Sequence, residues 1–183
     1  MTVRIEPWRH DDLWLVEAMN APELMTELGG PETPAKLVER HERYYSGWQR
    51  GTSWMFRIVV TGHGTGEEAV GGAGYWPTEW NGEQCYEAGW TVLASHHGQG
   101  IATKAVELVI AHARVYGDRR RVLALPKVDN AASNAVCRKA GFVLEGGSTV
   151  SIRRAIPSGR TRGCTTCGRV NRRSRTPLRH CRP

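Results

Sequence analysis

Apolar positions recur at two spacings along the chain, and the switch between them marks out the elements. Val3–Pro7 alternates as a short strand, and Leu13, Val16, Ala18 and Met19 then recur at helical spacing. The cluster Gly29, Gly30, Pro31 breaks the chain. Thr33 and Pro34 open a second helix that runs through Leu37, Val38 and Tyr44 to Trp48 and stops at Gly51. Trp54–Val60 is rich in β-forming residues, a glycine-rich turn spans Gly62–Gly66, and Ala69–Trp76 is the next strand. A polar turn over Glu79–Gln84 leads into the strand Cys85–Leu93. A long helix over Gly100–Tyr116, a strand over Arg121–Leu125, a short helix over Asn130–Ala140 and a last strand from Phe142 to Leu144 follow. Helices lie early and late and the strands cluster in the middle, which predicts an α+β fold around a mixed sheet rather than a doubly wound one. The sequence has no internal repeat.

With 183 residues, 40% of them hydrophobic, the chain is long enough to build a core without disulfides. No run approaches the ~20 apolar residues of a bilayer span, and the first twenty residues carry Arg4, Glu6, Arg9, Asp11 and Asp12 where a signal peptide would be apolar. A cytoplasmic protein with no membrane partner is expected. Five cysteines without a disulfide-like spacing agree, and Cys85 and Cys137 read as reduced residues.

The formal charge of +7 changes meaning once it is divided along the chain. Residues 1–146 hold 15 Lys and Arg against all 18 Asp and Glu, while residues 147–183 hold 10 Arg and no acid. The predicted domain is therefore slightly acidic, which argues against a nucleic-acid-binding surface on it. The composition break at Gly146 and Gly147 predicts a domain over 1–146 and an Arg-rich tail over 147–183.

The segment CYEAGWTVLASHHGQGIATKA, Cys85–Ala105, carries the candidate chemistry. A strand runs into Gly98 and Gly100, which open a helix whose first unpaired N–H groups, from Gly98 to Thr103, suit a pyrophosphate. Alone, such a loop reads equally well as a plain tight turn. Some thirty residues on, VDNAASNAVCRKAGF, Val128–Phe142, begins a helix with Asn130 and Ser133 and closes it at Gly141.

Together the two segments resemble motifs A and B of the GCN5-related N-acetyltransferases (GNAT). From VRIEPW to AGFVLEG, roughly residues 1–146, the chain resembles the branch related to ribosomal-protein alanine acetyltransferases. The resemblance implies the acyl-CoA N-acyltransferase fold, with two splayed strands in the mixed sheet, and acetyl-CoA as co-substrate. It places pantetheine pairing on Thr91, Val92 and Leu93. It places the phosphate loop on His97, Gly98, Gln99, Gly100, Ile101, Ala102 and Thr103, where His97 departs from the family's Arg or Gln. A histidine there implies a modestly weaker, pH-dependent cofactor site. Asn130 is expected to hold the strand ends or the pantetheine arm, and Ser133 to cap the helix.

Direct acetyl transfer to a primary amine needs a base, a polarised thioester and an acid. The resemblance puts Glu87 in the role of base, against the reading that it pairs with a basic side chain. It puts Cys137 where relatives carry a Tyr acid, against the reading that a helical Cys is inert packing. Trp76 and Trp80, with Pro77 and Glu79, fall where family members shape the acceptor pocket, against a plain core role. Glu27, Glu32, Glu79 and Glu83 are candidates for steering a cationic amine or are simply solvated. His10, His41, His63 and His112 share no metal-ligand spacing and are expected at the surface.

The resemblance implies a primary-amine acceptor, on a protein or a small molecule, and a monomer and a homodimer both remain open. The tail lacks the expected final strands, although Thr149–Ile156 suits one strand. Its composition suggests a frameshifted or diverged end. Cys164, Cys167, His180 and Cys181 as a zinc knuckle, or the arginines as an RNA-binding arm, are the functional alternatives. A non-catalytic acyl-CoA-binding protein is the alternative for the domain.

Overall fold

The structure is a computed structural model that describes residues 1–62 and 66–145, together with the backbone of 151–155. His63, the zinc-knuckle residues and the remaining tail lie outside the described residues. Seven strands form one sheet in the order β1-β2-β3-β4-β5-β7-β6. They are β1 (Thr2–Pro7), β2 (Trp54–Thr61), β3 (Glu67–Trp80), β4 (Glu83–Val92), β5 (Arg121–Ala124), β6 (Val143–Glu145) and β7 (Ser151–Ala155). Among the described residues only β4 and β5 pair in parallel, and every other pairing is antiparallel. β7 lies within the segment expected to be tail and sits between β5 and β6, so the sheet runs past the expected boundary at 146.

The helices are α1 (Leu13–Ala18), α2 (Pro22–Met25), α3 (Pro34–Arg50), α4 (Ile101–Tyr116) and α5 (Ala131–Lys139). The termini of α3 follow its sequence: Thr33 Oγ1 accepts from the Lys36 N–H, Pro34 occupies the first turn, and Gly51 ends the helix at φ +64°. The short α2 was not expected, since four residues leave no period to read. The predicted polar turn Glu79–Gln84 shrinks to Asn81 and Gly82, at φ +52° and +77°, which join β3 to β4 as a two-residue hairpin.

Strand alternation sends Phe56, Ile58 and Val60 to one hydrophobic cluster and Met55 to another. The larger cluster joins β2–β5 to Ile101, Val106 and Ile110 of α4, and the smaller joins Trp8, α1 and Leu37 of α3. Two histidines expected at the surface belong to this interior. His41 is 4% exposed and accepts from the Trp8 indole at 3.2 Å. His112 bonds the Tyr75 hydroxyl at 3.0 Å and lies among Phe56, Trp48 and Tyr116, and burial pushes its pKa down to about 4. Both stay inside because each ring nitrogen that enters the core has a partner there.

Candidate active site

β4 and β5 pair at only two positions, Tyr86 with Val122 and Glu87 with Leu123. Beyond Glu87, β4 continues to Val92 along β3, while β5 ends at Ala124. The strands part there, and the backbone of β4 on that side has no strand partner. A cavity of about 850 Å³ opens at this point, a size ordinary for a small-molecule site. One wall is Glu87–Thr91 of β4, and the opposite wall is Ala124–Lys127 with Asn130 and Ser133. A third side comes from α3 and the turn after it, through Tyr44 and Ser53, and Trp76 and Pro77 of β3 contribute as well.

Glu87 sits where the strands divide, half-buried and opposite Trp76 in the β3–β4 register. Burial pushes its carboxyl pKa upward, and a hydrogen bond with the Trp76 side chain opposes that shift. Among the described residues no cation pairs with Glu87, which removes the reading of a plain ion pair. A carboxylate so placed is suited to take a proton from a bound amine.

The loop before α4 is shaped for an anion. Gly98 and Gly100 adopt φ +76° and +77°, and a Cβ at either would meet nothing within 4 Å, so their outer side is open. Gly100 precedes α4 with no side-chain cap, and its carbonyl is bonded only from Lys104, at 3.1 Å. The N–H groups of Ile101, Ala102 and Thr103 are thus left for a ligand, with the helix dipole behind them. Ile101 itself is a core anchor at 1% exposure, which fixes the direction of the helix. His97 is exposed, and its Nε2 donates to the Val92 carbonyl at 2.8 Å, which ties the loop to β4. Gln99 reaches the Ser95 carbonyl at 3.5 Å. These features, open glycines, uncapped N–H groups and an unpaired strand edge, fit a nucleotide thioester with a pyrophosphate and an extended amide arm.

Of the strand residues predicted to pair with that arm, Thr91 lines the cavity. The Leu93 N–H is already given to the Val70 carbonyl at 2.8 Å, and the Val92 carbonyl to His97, so the backbone free for a ligand lies N-terminal to them. The cap of α5 also differs from expectation. Asn130 is the capping residue, with its Oδ1 accepting from the Ser133 N–H at 2.9 Å, and Ser133 sits in the first turn. The side chain at the first position has the reach that capping requires, and this leaves the Ser133 hydroxyl on the cavity wall. Cys137 is fully buried one turn further along, in the larger core cluster and outside the cavity lining. Burial pushes its thiol up to about 11.

Several site residues were not anticipated: Tyr44, Ser53, Arg43 and Arg50 on the α3 side, and Pro126 and Lys127 beyond β5. The 3-4-3 spacing of Arg40, Arg43, Gly47 and Arg50 was a legible helix face, and at Gly47 a Cβ would run into Ser53 Oγ, so the glycine lets this end of α3 close on the turn. Asn134, 8% exposed, is a further positioning residue, donating to the carbonyls of Lys127 and Asn130 at 2.8 Å each. Trp80 and Glu79 do not line the cavity. Of the four proposed steering acids only Glu27 does, and it pairs with Lys127 at 3.5 Å, while Glu32 is matched by Arg40 and Glu83 by Arg121.

Comparison with known proteins matches residues 2–143 to the acetyltransferase (GNAT) domain family. A curated relative, the ribosomal-protein-serine acetyltransferase of Escherichia coli (strain K12), is 31% identical over 133 residues, covering 73% of this chain and 68% of its own. The fold is similar to that of RimL, a ribosomal L7/L12 α-N-protein acetyltransferase solved with coenzyme A, at TM-score 0.71 and 20% identity over 87% of this chain and 97% of RimL. It is also similar to the aminoglycoside acetyltransferase AAC(6')-Ib in complex with coenzyme A, at TM-score 0.69 and 19% identity over 84% and 95% of the two chains. A spermidine N-acetyltransferase from Vibrio cholerae aligns at TM-score 0.68 and 13% identity over 85% and 96%. With strands that part beside a glycine loop and a family match over most of its length, the chain belongs to the GNAT family of acetyltransferases and is an N-acetyltransferase.

Proposed function

We propose that this N-acetyltransferase moves the acetyl group of acetyl-CoA directly to a primary amine, and that the amine is the α-amine of a protein N-terminus. The observation that carries the reading is Glu87, half-buried and unpaired by any cation among the described residues at the fork of β4 and β5, in one cavity with both strand walls. The relative that is 31% identical acts on a ribosomal protein, which supports a protein acceptor handled in the cytoplasm. Acetyl-CoA supplies the activated acyl group as its thioester.

The chain's own residues divide the work. N–H groups from Gly98 to Thr103 hold phosphate oxygens, and the free edge of β4 aligns the arm so that the thioester meets Glu87. Glu87 takes the amine proton as the new C–N bond forms and the C–S bond breaks, and the Trp76 indole keeps the carboxylate in place. The departing thiolate needs a proton. Ser133, on the cavity wall, is the candidate donor, whereas Cys137 is walled off in the core with a raised pKa and is assigned to packing. No covalent enzyme intermediate is required.

The test is acetyl transfer to a peptide with a free N-terminal serine, one internal lysine and, in a matched control, a blocked N-terminus. Mass spectrometry that finds the acetyl group on the α-amine, and none on the blocked peptide, is the expected result. Acetylation confined to the lysine, or none beside active transfer to small amines, overturns the protein N-terminal acceptor.

A further inference from the structure

The charges around the cavity say more about the acceptor. Four cations line it, Arg40, Arg43, Arg50 and Lys127, against two carboxylates, Glu27 and Glu87. Arg40 is neutralised by Glu32 at 2.6 Å and Lys127 by Glu27 at 3.5 Å. Arg43 and Arg50 are exposed and have no ion-pair partner among the described residues. Glu87 forms no ion pair with either of them among the described residues. The α3 side of the cavity therefore carries two uncompensated positive charges, on a domain that is otherwise slightly acidic.

We infer that the acceptor is an acidic peptide N-terminus, whose carboxylates meet Arg43 and Arg50 on the α3 wall of the cavity. The inference rests on the amine-transfer reading above and narrows it. Two guanidiniums repel a polyamine or an aminoglycoside and attract carboxylates bidentately. Their spacing suits a peptide: seven residues along a helix separate them by ~10 Å, the span of about three extended residues.

The experiment uses the full chain, saturating acetyl-CoA and three peptides with a free N-terminal serine, identical except that positions two to five carry two Asp, two Asn or two Lys. Spermidine is the fourth acceptor. The expected order of kcat/KM is Asp above Asn above Lys, with about tenfold per step for a pair of partly screened charge contacts. Raising the salt compresses that order. Arg43→Glu and Arg50→Glu lower transfer to the Asp peptide and raise it for the Lys peptide, with acetyl-CoA affinity unchanged by calorimetry; Arg43→Gln serves where charge reversal disturbs folding. Equal rates on the three peptides, preference for the Lys peptide or spermidine, or an order untouched by the arginine variants overturns the inference while leaving amine transfer intact. Absence of turnover on every acceptor is a different result, and it overturns the amine-transfer reading and this inference together.

Discussion

His112 ties the helix that carries the anion loop to the sheet, and its protonation is a perturbation whose size follows from its surroundings. The ring bonds Tyr75 of β3 and contacts Trp48 of α3 and Tyr116 at the end of α4. Burial lowers its pKa from 6.5 to about 4. A histidine with a depressed folded pKa is protonated first in the unfolded chain, so the unfolded state binds more protons as pH falls below 6.5, and stability declines down to the folded value. Between pH 7 and pH 5 the linkage amounts to about 2 kcal/mol, and to about 1 kcal/mol if partial solvent contact halves it. Glu6, whose pKa is held down chiefly by its bond to Arg4, loses stabilisation only below the ordinary carboxylate value. Glu87 acts in the opposite sense, because its raised carboxyl takes up a proton more readily when folded. Urea unfolding of the full chain and of His112→Gln at pH 7 and pH 5 isolates the histidine as the difference between the two pH slopes. A difference of about 1 to 2 kcal/mol is expected. Parallel pH dependences in the two proteins refute the reasoning.

The other predictions concern the site. Glu87→Gln lowers kcat by about 10² to 10⁴-fold while acetyl-CoA affinity stays within a few-fold; steady-state rates within threefold of wild type contradict its role as base. Gly100→Ala meets no steric obstacle but must hold φ +77°, a strain of about 1 kcal/mol or more. Acetyl-CoA binding therefore weakens by about tenfold, and an unchanged calorimetric Kd argues against the loop as the phosphate site. Cys137→Ala retains acetyl transfer and costs about 1 to 2 kcal/mol of stability, as a small core deletion does; loss of turnover in a protein with an intact fold gives the thiol a catalytic part.

Much of the fold was legible because period and punctuation agreed. Thr33–Pro34 and Gly51 bracket α3 in sequence and in structure, and Gly98 and Gly100 mark the loop before α4. The β3–β4 hairpin was misjudged because Thr78, Glu79 and Gln84 are polar, yet the dipeptide Asn81–Gly82 was the turn signal and the polar residues are strand positions reaching toward solvent. The lack of a ligand spacing says nothing about burial, and the place of His112 three residues after Val109 and seven after Ala105 sets it on the buried side of α4. The carboxylate and the glycine loop could be read from sequence because each belongs to one segment. The α3 wall could not, since Arg43, Arg50 and Ser53 become site residues only when tertiary packing brings α3 beside the β4–β5 fork. The same holds for Ser133 and Cys137, one turn apart on α5: helix spacing alone does not say which one the core covers and which the cavity exposes.

Titration of acetyl-CoA into the full-length protein in a calorimeter tests the site most directly, because it needs no knowledge of the acceptor. Saturable one-to-one binding that Gly100→Ala weakens and Glu87→Gln leaves in place is the expected result. A folded protein that takes up no acetyl-CoA would contradict the assignment of the β4–β5 fork and its glycine loop as the acetyl-donor site.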